Sequence, residues 1–374
     1  MKKIIFFTVL TVSLITSCKK EVLPPVEENP QTERSQASQN AKPAIIVSAG
    51  SSIQAAVNAA SPGSTIRINP GVYNEAVVVN IANLQLIGSG DGVVIQNPGN
   101  EENGITVNDA GDGFILKNVT VKNFEENGVL LTHVDNFLLS HVTAINNGAY
   151  GLFPVFCNGG VIQHCKATGH SDTGISVAQS SNVTMSFNAV NGNVQGLGVD
   201  NCTNITLTKN QCYNNTAGIT VVFLPGLENS TLMNITVSNN HVYNNNLSNF
   251  SDPGELEHFV PSGTGILIIA GSQITIKDNN VKGNNTTGIA MISGFTMANL
   301  TGDTRFITDI DPVPHGNKVI SNVLNNNGSA PAPIPLPAVD LLWDGPLWGG
   351  TAANICWKAN HFSTSFPSPL PSCN

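Results

Sequence analysis

Residues 185–221 read MSFNAVNGNVQGLGVDNCTNITLTKNQCYNNTAGITV, and one pattern occurs in them twice. Met185, Asn188 and Val190 return 22 residues later as Leu207, Asn210 and Cys212, and Gly196-Leu197-Gly198-Val199 returns as Gly218-Ile219-Thr220-Val221. The pattern extends in both directions. Glycine-led apolar strands begin at Gly104, Gly128, Gly151, Gly174, Gly196 and Gly218 and resume at Gly265 and Gly288, in steps of 22 to 24 residues with one step of 47. A second strand follows in each unit. In it Leu116, Leu139, Ile162, Met185, Leu207, Val237, Ile276 and Val319 share a column. Three places on, Val119, Val142 and Cys165 give way to Asn188, Asn210, Asn240, Asn279 and Asn322. Two places further the column is apolar again, from Val121 to Leu324.

Alternation with period 2 inside strands and a period near 23 between them describes coils stacked on one another. A single coil is too small to bury its own apolar face and buries it against its neighbours. The asparagine column suits a bend, because an amide bonds both the next amide and the local backbone. The expected fold is all-β, a single-stranded right-handed parallel β-helix of roughly ten coils. It is expected to occupy residues 44–327 and to carry an N-terminal helical cap at Ile53, Ala56, Val57 and Ala60 after Ser51 or Ser52.

The ends read differently. Lys2 and Lys3, then an apolar run to Ile15 and the ending Leu14-Ile15-Thr16-Ser17-Cys18, predict a signal peptide over 1–17 and lipidation of Cys18. Residues 18–43, rich in Pro, Glu, Gln and Ser, read as a disordered tether, and 328–374 as a Pro-rich tail packed on the helix. The protein is therefore expected to be exported and lipid-anchored to the cell envelope, at the outer membrane, with the lipid as its only membrane contact. Removing residues 1–17 takes away two lysines and changes the formal charge from −9 to −11. Only three arginines occur, Arg34, Arg67 and Arg305. This balance excludes nucleic acid as a partner and disfavours polyanionic sugars. Six further cysteines permit disulfides in an exported chain, and a Cys356–Cys373 pair would hold the tail.

Chemistry has few places to sit. His170 and Asp172 lie one residue apart ahead of a glycine-led strand, a spacing that suits a base and its orienter. They would work on a face shared with Phe153, Ser176 and Asp200 as binding residues. The column register offers the other reading, in which His170 replaces a ladder asparagine (Asn147, Asn193, Asn215) and Asp172 is a solvent-facing turn residue. His141 and His164 stack in one column without an evident third ligand, so no metal set is assigned. Two insertions, 246–262 and 293–317, carry acidic clusters that suit calcium, the one cofactor considered.

The chain resembles a family of exported bacterial β-helix repeat lipoproteins of pectin-lyase-like architecture. The resemblance rests on Gly148-Ala149-Tyr150-Gly151-Leu152-Phe153-Pro154-Val155, on Ser171-Asp172-Thr173-Gly174-Ile175 and on Phe223-Leu224-Pro225-Gly226-Leu227. It continues in His241-Val242-Tyr243, Pro261-Ser262-Gly263-Thr264-Gly265-Ile266 and Leu342-Trp343-Asp344-Gly345. It implies an exported β-helix body, with an exported cytochrome-like protein as a partner by association, and it brings no agreed catalytic residues. Motifs of β-helix enzymes are not reproduced. Gly169-His170-Ser171 is similar to the Gly-His-Gly of polygalacturonases, but the preceding coil offers Asn146-Asn147-Gly148 in place of paired aspartates. The expected function is binding or processing of an extracellular polysaccharide as a lyase, epimerase or hydrolase; the alternative is a non-catalytic scaffold that docks a partner protein.

Overall fold

A computed structural model describes residues 42–350 and 355–373. The leader, Cys18 and nearly all of the expected tether lie outside the described residues. The rest winds into a right-handed parallel β-helix with three sheets. The first, of 12 strands, runs from Ile45–Val47 to Cys356–Lys358. The second, of ten, runs from Gly71–Asn74 to Val323–Asn325. The third, of 11, runs from Val77–Val79 through Val339–Trp343 to Ser365–Phe366.

Register follows the columns. Leu116 pairs with Leu139, and the line continues through Ile162, Met185, Leu207, Val237, Ile276 and Val319 to Trp357. These side chains fill the interior, where all but Trp357 are fully buried. Each coil contributes little apolar area alone, so the core exists only through stacking.

The corner between the first two sheets explains the asparagines. The residue before each ladder position is in the left-handed conformation, with φ of 54 to 58° at Asn118, His141, His164, Phe187, Lys209, Asn239, Asp278 and Ser321. The turn leaves backbone groups without strand partners, and the buried amides take them. Asn188 donates to Asn210 Oδ1 at 3.0 Å, Asn210 to Asn240 at 3.0 Å, Asn240 to Asn279 at 3.0 Å and Asn279 to Asn322 at 2.9 Å. Each amide also donates to a carbonyl of the preceding coil, as Asn210 does to Met185 O at 3.0 Å. A second ladder runs through Asn193, Asn215, Asn245, Asn284 and Asn327 at the next corner.

The cap forms as a helix over Ile53–Ala59, with Ser52 Oγ accepting from Ala55 N. Glu75 from the first coil accepts from the Ile53 and Gln54 amides at 2.6 and 3.1 Å, which satisfies the helix start and pins it to the solenoid. At the other end the expected boundary at 327 does not hold. Residues 339–343 pair with 287–291, and 356–358 pair with 318–320, so the tail supplies a further coil. Asn360 extends the first ladder, accepting from Asn322 Nδ2 at 3.0 Å. Trp357 stands where other coils carry Leu, Ile, Met or Val, which hid this coil among the prolines of 331–337. A disulfide joins Cys356 to Cys373, while Cys157, Cys165, Cys202 and Cys212 are free and buried.

Asn210→Ala would orphan the Asn188 and Met185 backbone groups in a dry interior. We expect a loss of about 2–3 kcal/mol in chemical unfolding, against about 0.5 kcal/mol or less for the neighbouring outward Lys209→Ala.

Candidate functional site: a carboxylate-lined cavity on the third sheet

Insertions at both ends of the third-sheet strands wall its outer face. Residues 246–262 lead from the second sheet into Thr264–Ile269, and the segment after Thr287–Ile292 forms the helix Gly294–Thr301. The first insertion is pinned at both ends: Leu247 N donates to Asn215 O and Gly263 N to Thr216 O, each at 3.1 Å. Asn249 Nδ2 ties its middle by donating to Glu257 O at 2.8 Å and Val260 O at 3.0 Å.

Under this loop lies a cavity of about 250 Å³. Three successive coils contribute Glu126, Tyr150 and Asp172 from the positions just before or at the start of their strands, and the loop contributes Asp252, Glu255 and Glu257. Five carboxylates and no Lys or Arg line it. Asp172 Oδ1 accepts from Thr173 Oγ1 at 2.8 Å and Gln195 Nε2 at 3.3 Å, and the Tyr150 hydroxyl lies near the same carboxyl. Tyr150 is held by stacking on Phe153, with ring centroids 4.1 Å apart.

Burial pushes the Asp172 carboxyl up to about 7, with the nearby Glu257 charge adding to it. Glu257 is raised in its turn, again chiefly by burial. Asp200, on the next coil and at the far end of its strand, is raised well above the usual range by burial and then by Asp172 and Glu257. A carboxyl that keeps its proton towards neutral pH is what a general acid needs.

His170 takes no part in this. Its ring is fully buried in the second ladder, where Nδ1–H donates to Asn147 O at 2.9 Å and the backbone N–H donates to Asn193 Oδ1 at 3.2 Å. Burial lowers it to about 4, so it is neutral at pH 7, and Nε2 has no partner. The chain turns between His170 and Asp172, and no hydrogen bond or ion pair links them. The base–orienter pair is therefore replaced by a ladder histidine and a cavity carboxyl. Asp172 also departs from the solvent-facing expectation, because the insertion roofs it. Of the expected binding residues, Phe153 supports Tyr150, and Ser176 donates to Asp200 Oδ2 at 3.5 Å.

The histidine column stacks outward, His141 on His164 at 4.9 Å and His164 on Phe187 at 5.0 Å. In the second insertion Asp303 pairs with Arg305 at 2.7 Å and Asp311 with His315 at 3.3 Å. Among the described residues no group of three or more His, Cys, Asp or Glu is arranged to hold a metal ion. The acids of the first insertion meet in the cavity, while Asp303 and Asp311 of the second stay with Arg305 and His315. The sequence reasoning missed that Glu126, Tyr150 and the 252–257 acids meet Asp172; the column register carried the first two, and the length of the insertion was the signal for the rest.

A family model described as a right handed beta helix region matches residues 103–249. No curated protein matches the chain. Among solved structures it is similar to the A-module of mannuronan C-5 epimerase AlgE6 from Azotobacter vinelandii, with a TM-score of 0.58 and 16% identity over 84% of this chain and 92% of that one. It is also similar to a polygalacturonase from Erwinia carotovora ssp. carotovora, with a TM-score of 0.57 and 12% identity over 89% of this chain and 96% of that one. An alginate lyase from Paenibacillus gives a TM-score of 0.51 and 12% identity over 75% of this chain and 97% of that one. At these identities the likeness is one of fold.

Two outcomes follow from the geometry. His170→Asn, which restores the amide of the other coils, should leave stability within about 1 kcal/mol, whereas His170→Ala should lose about 2–4 kcal/mol in thermal unfolding. Because folding raises the Asp172 carboxyl, the native state holds a proton that the unfolded chain releases between about pH 4 and 7. Its presence therefore weakens the fold as pH rises through that window. Asp172→Asn should raise stability by up to about 4 kcal/mol at pH 8 and by well under about 1 kcal/mol at pH 4.

Proposed function

We propose that the protein is a lipid-anchored envelope protein that cleaves an uncharged extracellular polysaccharide in the cavity under residues 246–262. The observation that carries this is the Asp172 carboxyl, held protonated to about pH 7 among four further acids with no cation beside it. The solved structures it resembles bear the names of a mannuronan epimerase, a polygalacturonase and an alginate lyase, which supports polysaccharide as the substrate class. The surplus of carboxylates would repel a polyuronate, so the substrate that suits this chain is neutral. The leader read in the sequence supports export, and the Cys356–Cys373 disulfide fits an oxidising compartment.

In this reading the Asp172 carboxyl donates its proton to the glycosidic oxygen as the bond to the anomeric carbon breaks. A loop carboxylate, Glu257, takes a proton from the attacking water, and the two protons balance over the cycle. Tyr150 and Gln195 orient Asp172, and Thr173 keeps one of its oxygens engaged. A scaffold would gain nothing from raised, buried carboxyls, whereas an acid catalyst requires one.

The test is a reducing-end assay of the full chain on neutral glucans, mannans and xylans beside polygalacturonate and alginate. Cleavage is expected only of neutral chains. Asp172→Asn should cut turnover by about 10²-fold or more without lowering the melting temperature. Turnover that survives Asp172→Asn, or cleavage confined to polyuronates, would overturn the reading. Cys18→Ser should move the protein from the membrane to the soluble fraction.

A further inference from the structure

A second cavity, of about 50 Å³, adjoins the first on the same sheet face, and Glu257 lines both. Most of its wall is apolar, with Val222, Leu267 and Ala290 from the sheet, Leu256 from the loop, Met297 from the helix and Leu336 from the Pro-rich segment, and the hydroxyls of its threonines other than Thr287 donate to protein acceptors. Thr287 also lines it. Thr287 is 5% exposed, and its hydroxyl has no hydrogen-bond partner.

We propose that this cavity is the subsite for an acetyl-sized acyl group carried by the glycan, a step that rests on reading the neighbouring cavity as a glycan-cleaving site. Size sets the upper limit. One water needs about 10–15 Å³ of such space, so the cavity takes a few heavy atoms and no long chain. Chemistry sets the rest. An apolar wall gives a water too few partners to hold it, and it favours a methyl group. The Thr287 hydroxyl, desolvated and unpaired, calls for one acceptor, which an acyl carbonyl oxygen supplies. The wall offers a ligand carboxylate no Lys, Arg or His, so the group is neutral. The shared wall at Glu257 places a substituent here while the sugar that bears it stays in the acidic cavity.

An acyl group on oxygen and one on nitrogen offer the same methyl and carbonyl, and two ligand pairs separate them. Calorimetry of the full chain would compare O-acetylated glucomannan oligosaccharides with the same material after alkaline deacetylation, and tetra-N-acetylchitotetraose with cellotetraose. All four are uncharged. The acylated member of at least one pair should bind about tenfold more tightly, and the pair that shows it identifies the linkage. Thr287→Val, which keeps the shape and removes the donor, should bring that ratio down several-fold. Ala290→Phe, which fills the cavity, should bring it close to one. Equal affinity within both pairs, or a ratio untouched by Thr287→Val, overturns the acyl subsite and leaves the glycan reading standing. Binding to none of the four overturns both.

Discussion

The register of this molecule depends on the buried amide ladders that run along the corners of its coils. A parallel β-helix must turn its backbone three times per coil, and each turn strands polar groups beside an apolar core. An asparagine that donates to its neighbour's oxygen and to the preceding coil's carbonyl removes that cost at each level from Asn188 to Asn322. The same bonds fix which residue stands above which, since the run from Asn188 to Asn360 tolerates no slip without orphaning several amides at once. Glycines enforce the same spacing at the strand starts. A Cβ at Gly151 would strike the Gly174 carbonyl of the next coil, and it would also meet His170 Nε2 at 2.8 Å.

Because the stack is rigid, insertions have only its rims to occupy, and here they gather around one face. The loop over Asp172 is anchored by backbone bonds to Asn215 and Thr216, residues that belong to the coil beneath it. That anchoring turns a row of ordinary turn residues into the floor of a cavity. It also sets the electrostatics. Tyr150 and Asp172 would be solvated without the roof, and with it Asp172 and Glu257 are desolvated beside other carboxyls. Two causes, burial and like charge, act in the same direction on Asp172, Glu257 and Asp200. Structural ion pairs would have lowered these groups instead.

How much of this could be read from the chain follows from the range of each interaction. The columns from Leu116 to Val319 and the ladder through Asn188, Asn210 and Asn240 were legible, because stacking repeats one local rule every coil. The place of His170 in the second ladder was legible for the same reason, since it falls in register with Asn193. The last coil was not, because Trp357 breaks the apolar column and prolines at 331, 333, 335 and 337 mask the strand that follows them. The site was legible only in halves. Asp172 and Glu126 share a column, but Glu255 and Glu257 reach them through a loop of irregular backbone whose path no periodicity encodes. Spacing put His170 next to Asp172, whereas the turn between them sends one ring to the core and the other side chain to the cavity.

The substitution of histidine for asparagine at 170 shows what the ladder demands. An amide presents two N–H donors and an acceptor oxygen, whereas a neutral imidazole presents one donor and one acceptor over a longer reach and here keeps only one of its nitrogens engaged. It meets the Asn147 carbonyl and leaves Nε2 unpaired against the Gly151 backbone. A charge there would need a partner that the interior lacks, which is why the ring stays neutral down to about pH 4. The coil that carries this imperfect rung is the coil that carries Asp172. Local consistency thus lapses on a coil that builds part of the cavity floor. The neighbouring coils, with asparagine at 193, 215 and 245, hold the register for both.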